Sequence, residues 1–283
     1  MEFVLFDTVE MLNHSLIQHG SLNNRIYLMD LEKQDFPLIF SLLDDLAKKR
    51  GYTKIFAKVP MWAVGKAQNE GFEVEAKIPR FFNNEIDGFF LGKFIDDSRG
   101  YLNKENIERI KKVHQSMRKY DLRKTSNVKK IEPKIKRLCK DNAKALAKLY
   151  DTVFETYPFP IFKADYLKEM MHEDVQYYGI FEEKKLIAAS AAEMNLEHSY
   201  VEMTDFATLP DRRGNNYSLA LLLHMEKEMK NEKMKTAFTI ARAVSFGMNI
   251  TFAKAGYTHA GLLKNNTAIA GSLESMNVLF KKI

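Results

Sequence analysis

The stretch from Val201 to Leu222, VEMTDFATLPDRRGNNYSLALL, restricts the possible folds more than any other part of this chain. Apolar and small residues run from Tyr200 to Leu209 without a helical stripe, which predicts a strand, and Pro210 ends it because its ring fixes φ and it donates no amide. A helix must begin almost at once. Asn215, Asn216 and Ser218 are good capping residues, and Leu219, Leu222, Leu223, Met225 and Met229 follow at helical spacing. Between them lies the polar turn Asp211-Arg212-Arg213-Gly214-Asn215-Asn216. A turn of this kind leaves the first helical amides pointing outward with no internal partner, and the aligned peptide dipoles add positive potential there. Such a junction is a seat for phosphate.

The remaining residues bound the class of protein. A chain of 283 residues has room for two cores, and its hydrophobic share of 46% excludes extended disorder. The net charge of +6 favours anionic partners without choosing among them. Basic residues outnumber acidic ones from Arg109 to Lys140, yet only Tyr120 interleaves them, so the run reads as a solvated linker helix and no nucleic-acid partner is expected. Cys139 is the single cysteine, which excludes an internal disulfide and suits a reducing cytosol. The N-terminus MEFVLFDTVEMLNHSL has no basic region ahead of its apolar residues, and no stretch approaches the ~20 apolar residues of a membrane span. A cytoplasmic protein with no membrane partner is the expectation. HExxH, Walker and GxSxG patterns are all missing, so no metal is expected.

Along the chain, strands and helices alternate. The pattern predicts strands at Arg25–Leu31, Thr53–Val59, Glu73–Ile78 and Phe89–Phe94, with helices at Pro37–Lys49 and Met61–Glu70. A helical connector follows at 97–127. From there the prediction is strand Ile135–Cys139, helix Asn142–Thr156 ended by Tyr157-Pro158-Phe159-Pro160, helix Ala164–Met171, hairpin Tyr177–Phe181 and Leu186–Met194, and then the strand of the opening stretch. Helix Ser218–Lys230, strand Thr236–Arg242, helix Phe246–Lys254 and strands near Thr258–Leu263 and Met276–Lys281 close the chain. The order of the first 96 residues returns at the C-terminal end, as a pattern of elements with little identity.

Pro210 to Leu222 resembles the pyrophosphate-binding motif of the GNAT superfamily of acetyl-CoA-dependent N-acetyltransferases, with Arg213 on the Arg/Gln position, Gly214 after it and Ser218 on the last small position. Asn216 stands where the family usually has glycine, a place asparagine tolerates because it accepts left-handed φ. The resemblance implies an α/β protein with the GNAT acetyltransferase fold, a mixed central sheet flanked by helices, over residues 128–283. It also implies a partial GNAT-like domain over 1–96 that lacks the phosphate turn and covers the catalytic domain or completes its acceptor pocket.

Implied roles follow residue by residue. Acetyl-CoA would lay its pantetheine arm along Phe206, Ala207 and Thr208 and its pyrophosphate on the amides of Arg213, Gly214, Asn215, Asn216, Tyr217 and Ser218. Ser245 stands about where an asparagine often contacts the cofactor, and Phe252 where many members carry the tyrosine that protonates the thiolate. Glu202 matches the glutamate that deprotonates the amine, with Glu193 as its alternative, and strand alternation turns Asp205 to the opposite face. With no nucleophile placed to form an acyl-enzyme, the amine attacks directly in a ternary complex.

The runs EMTDFATLPDRRGNNYSLAL, TYPFPI, SFGMNITF and KNNTAIAGSLESMNV further resemble the β-lysine N-acetyltransferases of that superfamily. That implies a small-molecule amine substrate, held by Tyr157, Glu193, Asn265, Asn266, Glu274 and Asn277. Two alternatives remain open on sequence: a polyamine or protein-lysine acceptor, and a non-catalytic coenzyme A-binding module.

Overall fold

The computed structural model describes residues 6–120, 133–269 and 271–283. Part of the expected connector, the start of the expected catalytic domain and the first five residues of the N-terminal run lie outside them.

The described strands form one sheet of 13, in the order β1-β2-β3-β4-β6-β5-β12-β13-β11-β10-β9-β8-β7. The N-terminal side holds β1 (Thr8–Leu12), β2 (Ser15–Gly20), β3 (Arg25–Asp30), β4 (Lys54–Pro60), β5 (Glu73–Phe82) and β6 (Ile86–Phe94), with α1 (Ile39–Arg50) after β3 and α2 (Met61–Asn69) after β4. Next comes α3 (Lys104–Arg118), capped by the Asn103 side chain on the Asn106 amide and packed on α7 of the C-terminal side. That side holds β7 (Ile135–Arg137), α4 (Ala143–Val153), α5 (Ala164–Met170), β8 (Val175–Glu182), β9 (Lys185–Asn195), β10 (Tyr200–Thr208) and α6 (Tyr217–Asn231). It ends with β11 (Thr236–Arg242), α7 (Phe246–Lys254), β12 (Thr258–Ile269) and β13 (Ser272–Lys282).

The strand order of the first half recurs in the second. β2-β3-β4-β6-β5 matches β9-β10-β11-β13-β12, and each series has its parallel pair in the same place, β3 with β4 and β10 with β11. The halves join through β5 and β12, the matching last strands, which meet antiparallel at Ala76 and Gly261. Gly261 is required there by space: a Cβ on it would lie 2.1 Å from the Glu75 carbonyl oxygen. Beside the seam Lys54 and Glu75 form a fully buried ion pair at 2.7 Å. Lys54 Nζ also donates to the Lys264 carbonyl, and the Lys264 amide donates to Glu75, so each member of the pair makes a further hydrogen bond across the seam.

Alternation along the strands divides the apolar residues. On the N-terminal side, Ile26, Leu28, Ile55, Ala57 and Val59 face α1 and α2 and form one core with Ile39, Phe40 and Leu43. The opposite face, with Tyr27, Phe56 and Phe90, packs on Tyr200, Phe238, Met276 and Val278 of the C-terminal side in a second core. A third and larger core surrounds β8 to β10 and the inner faces of α4, α6 and α7.

Two local features contradict the sequence expectations. The N-terminal hairpin β1–β2, which no pattern announced, closes the sheet's first edge. In β10, a bulge between Thr204 and Ala207, with Asp205 at φ 55°, breaks the alternation that would have turned Asp205 away from Glu202.

Candidate active site

β10 and β11 pair in parallel only through Tyr200–Glu202 on β10, after which the two strands are unpaired. The edge of β10 from Met203 to Thr208 therefore faces a gap, with Ala207 and Thr208 bonded on the other side to Ala189 and Ala188. Phe206 and Thr208 look into a cleft of about 730 Å³ that also reaches the turn at 212–218, Ser245 and Met248.

The turn has the geometry that an anion seat needs. Arg213 is extended, Gly214 has φ 86°, and Asn216 adopts the left-handed conformation (φ 55°) without its side chain capping α6. Ala220, bonded to the Asn216 carbonyl at 3.0 Å, is the first residue of the helix start whose amide finds an acceptor. Among the described residues, none meets the backbone amides of residues 214–219, and five of these six residues, 214–218, line the cleft at the helix N-terminus. A Cβ on Gly214 would meet nothing within 4 Å, so its glycine is needed for backbone conformation alone. The Asn215 side-chain Nδ2 donates to the Arg212 carbonyl, Tyr217 Oη donates to Glu182, and Ser218 Oγ lies 3.5 Å from Thr208 Oγ1, holding the turn in shape.

A narrower throat joins this cleft to a second cavity. The throat shares Phe206, Arg242, Ser245 and Met248 with the cleft, and Tyr157, Thr204 and Ile240 with the cavity beyond. Phe252 forms its floor; the ring is fully buried, edge-on to Phe206 and Tyr257, and offers no proton.

The second cavity, about 270 Å³, lies between the two halves of the chain. Glu193 and Glu202 are direct cross-strand partners on β9 and β10, and both line it. The bulge brings Asp205 to the same end, where its carboxylate accepts from the Tyr157 hydroxyl and from Thr204 Oγ1. Burial raises all three carboxyls: Glu193 well above the usual range, further raised by the charges of Asp205 and Glu202; Glu202 to about 7; and Asp205 to about 6. Lys58 opposes the rise at Glu202, as do the hydrogen bonds from Tyr157 and Thr204 at Asp205. Lys58 is placed by donating to Tyr200 Oη at 2.6 Å, with its ammonium 4.5 Å from the ring centroid. The same burial holds the Tyr157 phenol well above its ordinary range, Asp205 adding to it.

The expected acceptor residues divide. Tyr157, Glu193 and Asn266 line the cavity. The other three are engaged elsewhere. Asn265 spends its amide on the carbonyls of Arg99 and Tyr101; Asn277 is fully buried between His114, His259 and Asn249; Glu274 is paired with Arg242 at 2.8 Å. Their polarity serves packing around the closing hairpin. What sequence reasoning did not single out is the contribution of the first half: Gln18, Arg25, Asp30 and Lys58 all line the same cavity. For Arg25, Asp30 and Lys58 the signal was present as charged residues within the apolar runs RIYLMD and KIFAKVP, but only the pairing of β5 with β12 shows where they lie. Among the described residues no group of acidic, histidine or cysteine side chains could hold a metal, and no helix is long and apolar enough to cross a membrane.

Comparison with known proteins agrees with this arrangement. Residues 143–257 match the model of the acetyltransferase (GNAT) family. The chain is 37% identical over 275 residues to the β-lysine N(6)-acetyltransferase of Methanococcus maripaludis, covering 95% of this chain and 97% of that one. It is 29% identical over 262 residues to the β-lysine N(6)-acetyltransferase of Methanosarcina mazei, covering 86% and 96%. It is also 41% identical over 138 residues to the N-acetyltransferase YodP of Bacillus subtilis, covering 49% and 50%. With the split parallel pair, the open turn and near-full-length identity in agreement, the chain belongs to the GNAT acetyltransferase family and is an acetyl-CoA-dependent N-acetyltransferase.

Proposed function

We propose that the protein transfers acetyl from acetyl-CoA to the side-chain amine of β-lysine. The supporting observation is the buried cavity between the halves, acidic at the end where the throat opens, together with similarity to β-lysine acetyltransferases that extends through both halves. The residues of this chain divide the work. The amides of residues 214–218 would hold the diphosphate and the free edge at Phe206–Thr208 the pantetheine arm, so that acetyl-CoA supplies an activated acetyl group at the throat.

Glu202 takes the proton from the attacking ammonium. A base raised to about 7 is matched to neutral pH better than an ordinary carboxylate. Burial and the charges of Asp205 and Glu202 push the Glu193 carboxyl well above the usual range, which favours its neutral form and limits the charge beside Glu202. Asp205 fixes Tyr157, whose hydroxyl lies between throat and cavity and takes the place of the acid that Phe252 cannot supply. The chain divides as 1–96, 97–127 and 128–283, and its place is the cytoplasm.

Purified protein given acetyl-CoA and a panel of β-lysine, lysine, spermidine and a lysine peptide, with free thiol as readout, tests the proposal. β-Lysine should give the highest kcat/KM. Preference for spermidine or the peptide would replace the acceptor, and no turnover with any amine would refute the reading.

A further inference from the structure

Three residues that line the cavity between the halves carry buried polar atoms that the protein leaves unmet. Arg25, on β3, is 4% exposed; its Nη1 donates to the Asn266 carbonyl and to Thr267 Oγ1, but its Nε is buried without an acceptor. The nearby carboxylates are engaged elsewhere, Asp7 by Asn23 and Glu75 by Lys54 and the Lys264 amide. Gln18, on β2 and 1% exposed, has an unpartnered Nε2, and Asn266, on β12 and 1% exposed, an unpartnered Oδ1. All three residues line the cavity.

Arg99, the other buried arginine nearby, shows that this is not the local habit. Its Nε, Nη1 and Nη2 all donate, to the carbonyls of Asn265, Asn24 and Asn23 and to Thr53 Oγ1. Burying a donor or a charge without a partner is costly, and three such atoms around one cavity define a missing ligand by complementarity. It must accept from a guanidinium and an amide, and donate to an amide oxygen. A carboxylate with an ammonium beside it does both. The acidic end of the cavity is set apart from this one along β4: Arg25 pairs with Lys54, and Lys58, four residues on and roughly 13 Å along the strand, meets Tyr200.

We propose that Arg25 and Gln18 bind the carboxylate of the acceptor and Asn266 the ammonium next to it, so that the first half of the chain selects amino-acid acceptors over diamines. The inference rests on the cavity being the acceptor site. It assigns Arg25 and Gln18 to ground-state recognition, remote from the reacting amine.

The test compares β-lysine with 1,4-diaminopentane, which is β-lysine without its carboxylate, as acceptors for wild type, Arg25→Met and Gln18→Leu. Wild type should prefer the acid. Arg25→Met should lower kcat/KM for β-lysine about a hundredfold and Gln18→Leu about tenfold, through KM, while the diamine changes less than threefold in either. Equal losses on acid and diamine, no loss on either, or a wild type that prefers the diamine would overturn the proposal. Thermal unfolding separates misfolding of Arg25→Met from lost recognition, and Gln18→Leu, which removes no charge, provides the same comparison independently. If wild type acetylates neither compound, the β-lysine reading fails by itself. The same split is then measured on lysine against 1,5-diaminopentane, where equal changes again overturn the assignment.

Discussion

Replacing Glu202 with glutamine should produce a defect whose size depends on pH, and the dependence can be worked out in advance. Glutamine keeps the shape and can still accept from the Ile240 amide, which bonds to Glu202, but it cannot take a proton. A primary amine with a pKa of about 10.4 is neutral in roughly one molecule in 2,500 at pH 7. On the proposed mechanism, wild type, with a carboxyl raised to about 7, removes the proton inside the cavity and escapes that limit. Glu202→Gln must wait for amine that is already neutral. Its kcat/KM should therefore fall about a thousandfold at pH 7 but only about twenty-five-fold at pH 9, the deficit shrinking about fortyfold over the two units. Initial rates of thiol release between pH 6 and 10 measure this directly, and the wild-type profile should rise through about 7, well above an ordinary carboxylate. A deficit that stays constant with pH would mean that Glu202 positions substrate and another group takes the proton.

Other expectations bear on separate parts of the molecule. Gly214→Asp puts a side chain on a φ of 86° and a negative charge on the phosphate seat, so the Kd for acetyl-CoA should rise at least tenfold by calorimetry while the Tm changes little. Lys54→Met leaves Glu75 buried without its partner and should cost about 3–5 kcal/mol in denaturant unfolding; Lys54→Met with Glu75→Leu should recover most of it. Gly261→Ala forces a Cβ into the Glu75 backbone and should destabilise the protein by about 1–3 kcal/mol or more while raising KM for the amine, because the cavity proposed for the acceptor takes its lining from the two halves that this seam holds in register. Unchanged KM in a folded Gly261→Ala protein would show that the seam does not shape the cavity.

Most of the fold was legible because its signals are local. The stops at Pro210 and at Tyr157–Pro160 and the apolar stripes of α1, α4 and α6 mark elements wherever they pack, although no side chain caps α6 as its sequence suggested. The open turn before α6 was legible for the same reason: left-handed Asn216 and Gly214 are properties of six consecutive residues. The β1–β2 hairpin was not, since Ser15, Gln18 and His19 are buried polar residues and no apolar alternation marks their strand. Nor was the place of Asp205. A bulge shifts every later residue by one position, and nothing in TDFAT distinguishes a bulged strand from a regular one. The resemblance marked Asn265 and Asn277 as ligand-binding residues, whereas their partners lie up to 166 positions away in the chain, a separation no spacing rule reaches.

The seam between β5 and β12 resembles the contact of a twofold dimer, with equivalent edges meeting antiparallel, except that one polypeptide supplies both sides. A dimer that shared its acceptor pocket across such an edge would lose the pocket on dilution. Tethering the two sides replaces that concentration-dependent equilibrium with an intramolecular one, at an effective concentration in about the millimolar range. The specific activity of this enzyme should then be constant however dilute the solution becomes, and a cell needs no minimum level of the protein for each copy to recognise its amine.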